Sequence, residues 1–364
     1  MNAIDAAARP ELLDSLSQID AGWIAAVLAK AGHRDITVRD FAISPVGAGN
    51  VSDTVRLTVD HDCPDAPQSM VCKFRPSQDM AHRHGVASGA YHRELGAYRL
   101  IGDMADGCHI PVVLWLDGNR ENINLVMEDS TENTRAGDQI AGCGIEDAVA
   151  VVRELAALHR ATAVRADDAP DWAVRMPESR DYWVPMIEQS VSIIRDRFTN
   201  ILPAGDIELI AQAAAVARAW YDLPHHRTTL THGDPRVDNI LFRDGAGGPQ
   251  AILIDWQVIG VRQPLYDLGY FLSGSISVED RRRFEHHLLT LYAEAFGPDY
   301  SHDDILADYR IQLISGLFTT SAAASVLPDT AEVNRLLLAL LERNCAAVAD
   351  WDTVEAITQK AGLA

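Results

Sequence analysis

Hydrophobic positions change their period several times along this chain. Residues 11–31, ELLDSLSQIDAGWIAAVLAKA, repeat apolar residues at helical spacing and predict one or two amphipathic helices. ITVRDFAISPVGAGNVSDTVRLTVD alternates like a pair of strands around a turn-rich middle, and SMVCKFRPS predicts another strand. Helical spacing returns in GAYHRELGAYRLIGDM, with Tyr91, Leu95 and Tyr98 on one stripe. IPVVLWLDGNRENINLVMEDS reads as two strands around an Asp-Gly-Asn turn. From about residue 138 helical patterns dominate, interrupted by the strand pair NILFRD and QAILIDW, which is joined through GAGGP. The most apolar late stretch, IQLISGLFTTSAAASVL, is broken by Gln, Ser and Thr; it is too mixed to span a bilayer and reads as a buried helix pair. No internal repeat or long low-complexity segment is present. The pattern predicts an α+β chain: a β-rich N-terminal lobe over residues 1–128, with a helical extension at 11–31, then a mainly helical C-terminal lobe over 129–364.

Composition narrows the class. A chain of 364 residues, 48% apolar and 23% charged, has the make-up of an ordinary globular protein with a sizeable core. The net charge of −21 excludes non-specific binding to nucleic acid or to an anionic membrane, and no obligate protein partner is expected. Five cysteines (63, 72, 108, 143 and 345) never fall in a Cys-x-x-Cys spacing, which predicts reduced thiols without a zinc site or disulfide framework. With no basic-then-apolar leader in MNAIDAAARPELLDS, the expected location is cytoplasmic. Of 31 basic residues only three are lysines: Lys30, Lys73 and Lys360. Lys73 sits inside the apolar run MVCKF, where a compact point charge suited to a phosphate needs a reason.

The densest chemistry lies in LTHGDPRVDNILF, residues 230–242. Asp234 and Asn239 are five apart in a loop that leads into an apolar strand, and the strand after the Gly-rich turn ends in Asp255. A hairpin of this kind can bring Asn239 and Asp255 together, and two such oxygen ligands suit Mg²⁺ completed by phosphate and water. Asp234 is then free to accept a proton from an incoming hydroxyl, the division of labour found in kinases. Upstream, SPVGAGNVSDTVRL is a Gly-containing turn, including Gly49, able to present backbone N–H groups and Ser52 to phosphates. Glu94 shares a helix stripe with Tyr91 and Tyr98, where a carboxylate needs a partner; Lys73 is the natural one. LVMED, residues 125–129, reads as a strand whose backbone could pair with an adenine edge. His159, on the stripe of Val152, Leu155 and Ala156, reads as a satisfied core histidine, and the His pairs at 225–226 and 286–287 as solvated faces.

In order and spacing, the Gly turn, Lys, Glu, connector, HGD(x)₄N and IDW together resemble the aminoglycoside phosphotransferase and choline kinase superfamily. The resemblance spans roughly residues 40–275. GAGNVSDTVRL, YHRELGAYR and IDWQVIGVRQPLYDLGYFLSGS look most like its ecdysteroid-kinase-like branch, from whose pattern Trp256 and Asp238 depart. The resemblance implies a bilobal protein-kinase-like fold and transfer of the ATP γ-phosphoryl group to a hydroxyl of a small organic acceptor. It implies Asp234 as catalytic base, with Asn239 and Asp255 holding Mg²⁺. Lys73 would contact the α/β-phosphates, oriented by Glu94, with Gly49 and Ser52 at the phosphate loop. Main-chain groups of Glu128 and Ser130 would meet adenine, and Asp267 would brace the catalytic loop.

The acceptor is expected against the C-terminal lobe, beside helices of about 140–225 and 275–364, with the segment 164–200 as a candidate cover bringing Trp172, Tyr182 and Trp183. Aromatic walls suit a hydrophobic alcohol; aminoglycosides and hydroxyacyl-CoAs are the other acceptor classes. A nucleotide-binding pseudokinase scaffold is the non-enzymatic alternative, against which the intact Lys73, Glu94, Asp234, Asn239 and Asp255 argue. A protein kinase is disfavoured by HGD in place of HRD and by the absence of an activation segment between Asp255 and Asp267.

Overall fold

A computed structural model describes residues 10–46, 51–163 and 168–363, and its α+β chain forms two compact units. The first gathers Met1–Met104, Ile110–Asn133 and Asp255–Gln257. Its centre is an antiparallel sheet in the order β1-β2-β3-β5-β4, from β1 (Val38–Pro45), β2 (Asp53–His61), β3 (Ser69–Phe74), β4 (Val113–Gly118) and β5 (Ile123–Glu128). One helix, α1 (Ala21–Lys30), is capped by the Asp20 carboxylate, which accepts from the Trp23 N–H. Trp23, Ile24, Val27 and Leu28 of α1 form a core with Val55, Leu57 and Val59 of β2 and Met70, Cys72 and Phe74 of β3. The period of two along β3 therefore buries residues 70, 72 and 74 on the α1 face and turns Lys73 to the other. The unit is completed by α2 (Asp79–Ser88) and α3 (Ala90–Gly102).

The expected β4–β5 hairpin forms, but its turn lies further on than Asp-Gly-Asn. Asp117 pairs with Asn124 and Gly118 with Ile123, so the loop is Asn119–Asn122. Asn119 organises it, its Oδ1 accepting from the N–H groups of Glu121 and Asn122. Gly118, at φ +153°, closes the loop where a Cβ would stand 2.4 Å from the Asn122 carbonyl oxygen.

The second unit comprises Ala105–His109, Thr134–Ile254 and Val258–Ala364. It contains α4 (Ile145–Ala161), α5 (Met176–Phe198), α6 (Ala204–Asp222), α7 (Leu265–Ser275), α8 (Val278–Phe296), α9 (His302–Gln312), α10 (Ile314–Val326), α11 (Ala331–Asp350) and α12 (Thr353–Lys360). Short strands make two small sheets: β10-β9-β6 from β6 (Arg135–Ala136), β9 (Ile240–Arg243) and β10 (Gln250–Leu253), and β7-β11-β8 from β7 (Val174–Arg175), β8 (Thr229–Thr231) and β11 (Gly260–Arg262). The core is built by α5, α6, α10 and α11, with Ile187, Ile194, Phe198, Trp220, Leu317 and Leu341 among its fully or nearly buried members. The apolar run from residue 311 is essentially one buried helix, α10, with only Ile311 and Gln312 from the end of α9, and not the expected helix pair. Of the candidate cover 164–200, residues 164–167 lie outside the described residues, and most of the rest is α5, with Val184, Ile187, Ile194 and Phe198 in the core. Among the described residues no helix is long and apolar enough to cross a membrane, and all five cysteines are free.

Candidate active site

Residues singled out by spacing fall into two groups, one in each unit. In the first, Lys73 reaches from β3 to Glu94 of α3, with Nζ 2.6 Å from Oε1, and to Asp255, with Nζ 3.2 Å from Oδ1. Glu94 is fully buried, whereas the Asp255 side chain is 36% exposed. Burial opposes the Lys73 charge, but the carboxylates of Asp255 and Glu94 hold its pKa above the ordinary lysine value. Burial pushes Glu94 upward, Lys73 pulls it back, and Asp255 adds to the rise. The two shifts oppose one another; the 2.6 Å contact to a nitrogen held charged favours an ammonium–carboxylate pair. Burial likewise raises the Tyr98 hydroxyl, one turn beyond Glu94.

Two further contacts hold this group in place. Arg93 of α3 donates from Nε to the Gln257 carbonyl at 2.6 Å, pinning the segment that begins at Asp255. The Tyr91 hydroxyl donates to the Val51 carbonyl at 3.1 Å, tying Val51 to the same helix. Ser52 is buried at the start of β2, while Gly49 lies outside the described residues. At the end of β5, the Glu128 N–H is already donated to the Val112 carbonyl at 2.9 Å, so adenine could meet its carbonyl but not its amide. The Ser130 carbonyl accepts from the Asn133 N–H at 3.0 Å. Next to them the Asp129 carboxylate is held by Arg56, Ser69 and Thr131, a structural clamp that keeps its pKa low against burial.

In the second unit the loop after β8 hangs on one carboxylate. The His232 and Gly233 N–H groups donate to Asp267 Oδ2 and Oδ1 at 2.6 and 2.9 Å. His159 donates from Nε2 to Asp267 at 3.1 Å and accepts the Tyr292 hydroxyl at Nδ1, at 2.9 Å. Burial would raise the Asp267 carboxyl, yet the His159 hydrogen bond and the loop amides hold it below the usual range. His159 is the satisfied core histidine its stripe predicts, and it also supports the loop. His232 Nε2 donates to the Ile254 carbonyl at 2.9 Å, and the Ile254 N–H donates to the Asn239 carbonyl at 3.0 Å, extending the β9–β10 pairing of Leu253 with Ile240. Gly233 sits at φ +87°, where a Cβ would meet the Val258 carbonyl oxygen at 2.4 Å. That explains glycine between the histidine and the aspartate.

Asp234 is engaged through both oxygens. Oδ1 accepts from Arg236 Nε at 3.0 Å and the Tyr270 hydroxyl at 2.8 Å; Oδ2 accepts from Asn239 Nδ2 at 3.1 Å, which also bonds the Asp234 carbonyl at 2.9 Å. Burial works against the charge, but Arg236 and the Tyr270 hydroxyl hold the carboxyl below its ordinary pKa. Asn239 is held by a short 3-10 turn over Val237–Asn239, itself fixed where the Val237 N–H donates to Gln139 Oε1 at 2.8 Å. Asp238, in a position where the resemblance expects Asn, accepts the Gln139 N–H at 2.8 Å.

Asp234 opens on a cavity of about 110 Å³ within this unit. Trp183 of α5, Tyr221 of α6 and Tyr266 of α7 form its aromatic wall. Ser179 and Thr319 supply hydroxyls, and Arg262 of β11 a guanidinium. Of the aromatics expected near an acceptor, Trp183 lines the cavity while Tyr182 is 56% exposed and stacks edge-on against Trp183.

Sequence reasoning missed Tyr270, Arg236 and Arg262 as members of this group. Tyr270 had a signal, since it stands three residues after Asp267 on one helix face. His225 departs from the solvated face expected of it: it is half-buried, its Nε2 has no partner among the described residues, and burial lowers its pKa to about 4. Its counterparts His286 and His287 are exposed.

The sequence model of the ecdysteroid kinase-like family matches residues 47–299. Among solved structures the chain is similar to choline kinase from Cryptosporidium parvum, with TM-score 0.52 and 11% identity over 89% of this chain and 91% of that one. It is similar to aminoglycoside 2'-phosphotransferase-IIIa in its GDP complex, with TM-score 0.50 and 13% identity over 91% and 95%. At these identities the likeness is one of fold, a small-molecule-kinase fold. No curated protein matches the sequence. With a family model covering well over half of its length, the chain belongs to the ecdysteroid kinase-like family.

Proposed function

We propose that this protein is an ATP-dependent phosphotransferase that acts on an alcohol group of a small organic molecule. One observation carries the reading: Asp234, kept ionised by Arg236 and Tyr270 and fixed by Asn239, opens on a cavity large enough for the reacting end of an acceptor. A carboxylate in that state can align a hydroxyl and take its proton as the bond to phosphorus forms. Lys73 neutralises the nucleotide phosphates and Glu94 orients it. Gly49 and Ser52 take up phosphate oxygens, and the backbone at Glu128 and Ser130 takes up adenine.

Asn239 and Asp255 fit as ligands of Mg²⁺. Asn239 spends its Nδ2 on Asp234, which leaves Oδ1 as an oxygen donor, and Asp255 keeps one carboxylate oxygen beyond its contact with Lys73. Lys73 faces two carboxylates, so that group is short of positive charge. Bound there, magnesium would neutralise charge on the transferred group.

The test is ADP release with Mg·ATP over a panel of alcohols. Asp234→Asn should lower turnover by on the order of 10²–10⁴ while nucleotide affinity stays close to wild type. Near-wild-type turnover by this variant defeats the assignment.

A further inference from the structure

The cavity beside Asp234 contains a charge for which the reaction above has no use. Arg262 ends β11 and is only 8% exposed. Its Nη1 donates to Thr231 Oγ1 at 2.8 Å and its Nη2 to the Val258 carbonyl at 3.1 Å, both neutral acceptors. Among the described residues, no carboxylate stands within ion-pair distance of it. Arg281, also deeply buried in this unit, instead meets both Glu285 and Asp350. A desolvated guanidinium without an anion is costly, and it uses here only two of its five N–H groups.

Its position ties it to the base. A Cβ on Gly260 would stand 2.8 Å from Arg262 Nη1, and one on Gly233 would stand 3.0 Å from the same nitrogen. Two glycines therefore make room for this side chain, and Asp234 is the residue after one of them. The aromatic wall of the cavity could suggest a cage for a quaternary ammonium. However, the guanidinium already covers the face of Tyr266, 4.9 Å from the ring centroid, and would repel a second cation. Among the described residues the only carboxylate on the wall, Asp234, is shared by Arg236 and Tyr270. Polycationic acceptors thus have little to bind.

We propose that Arg262 anchors a carboxylate of the acceptor, so that the substrates are hydroxy-carboxylates rather than amino alcohols or aminoglycosides. A planar carboxylate matches the guanidinium fork. A cavity of about 110 Å³, close to the share of four waters in the liquid, holds a hydroxyl, a carboxylate and the few carbons between them. This rests on the phosphotransferase reading. The acceptor oxygen forms a bond to the γ-phosphorus, the bond from that phosphorus to the bridging oxygen breaks, ADP leaves with that oxygen, and the hydroxyl proton passes to Asp234.

Short ω-hydroxycarboxylates are compared with amino alcohols and diols of the same chain length. Binding is read from the thermal unfolding midpoint without nucleotide, and transfer from ADP release with Mg·ATP. The carboxylates should raise the wild-type midpoint and the amino alcohols should not. Arg262→Gln should weaken carboxylate affinity by on the order of 10- to 100-fold, the scale for losing a charged hydrogen-bond partner. Arg262→Lys should recover part of it. Thr231→Val, which removes a neutral contact of the guanidinium but leaves its charge, should bind carboxylates like the wild type. The proposal is overturned if no carboxylate shifts the midpoint, if amino alcohols shift it as far, or if Thr231→Val loses binding as fully as Arg262→Gln. Should Arg262→Gln fail to fold, the ligand panel on the wild type and Arg262→Lys decides. Carboxylate binding without any phosphoryl transfer would defeat the phosphotransferase reading alone; transfer without carboxylate preference would defeat this one alone.

Discussion

The two units hold their functional side chains by different means. Around Lys73 the parts are charges: one ammonium, two carboxylates, and a short contact to a fully buried Glu94. Asp234 itself meets side chains, but the loop that carries it is held through its backbone, with Asp267 accepting two consecutive loop amides and His159 and Tyr292 standing behind it. Charges held this way tolerate a change of partner, because another cation or anion can enter the balance. Amides aimed at one carboxylate specify a shape and tolerate almost nothing else. The difference suits the proposed reaction, in which the first would meet a polyanion that comes and goes and the second would keep a base in one orientation.

The comparison predicts unlike responses to mutation. The largest should follow Lys73→Met, which leaves the buried Glu94 without its cation and should cost about 3–5 kcal/mol at neutral pH. Glu94 then titrates with a raised folded pKa. Its protonated form is tolerated, so the deficit should be small at about pH 4, near the ordinary carboxylate value, and grow as pH rises above it. Urea unfolding of both proteins across pH measures this, and a deficit independent of pH would break the charge-balance account.

Asp267→Asn should cost less, roughly 2 kcal/mol, because an amide cannot accept from His232, Gly233 and His159 through both of its atoms. Wild-type Asp267, with its depressed pKa, contributes stability above the ordinary carboxylate value that is lost as pH falls through the folded one. The variant's deficit should therefore hold steady above about pH 4 and shrink below it, whereas that of Lys73→Met changes above that pH. Deficits that change over the same pH range would remove the distinction between the two units.

The smallest effect belongs to Tyr270→Phe. It removes one of three side-chain donors from Asp234, so turnover should fall about 10-fold or less, the scale of one hydrogen bond. Because that hydroxyl helps hold the carboxyl low, the acid limb of the kcat/KM profile should move to higher pH. A limb that stays in place would mean that Arg236 alone sets the base.

Much of this was legible from spacing. The Lys73–Glu94 pair follows from two local facts, a lysine inside an apolar strand and a glutamate on an apolar helix stripe, each of which demands a partner. HGD(x)₄N is a loop whose contacts are short in sequence, so its members could be named together. The rest depended on tertiary placement. Arg262 is 28 residues beyond Asp234, and nothing along the chain indicates that two glycines admit its guanidinium beside the base. His159 was readable as buried but not as the donor to Asp267, 108 residues away. Strands of two or three residues, such as β6, β7, β8 and β11, are too short to show a period at all. The segment 164–200 suggested a cover because of its aromatics; Trp183 does line the cavity, while apolar residues at helical spacing, Val184, Ile187, Ile194 and Phe198, set α5 into the core.

Asp255 stands at φ +67°, a left-handed backbone that a side chain occupies at a cost of roughly 1–2 kcal/mol. Glycine would relieve that strain in one substitution while erasing the carboxylate. The position therefore works as a gauge: a member of this family freed from chemistry has an immediate route to a firmer fold here, and a chain that keeps aspartate in so awkward a posture is giving up stability that only its charge can justify.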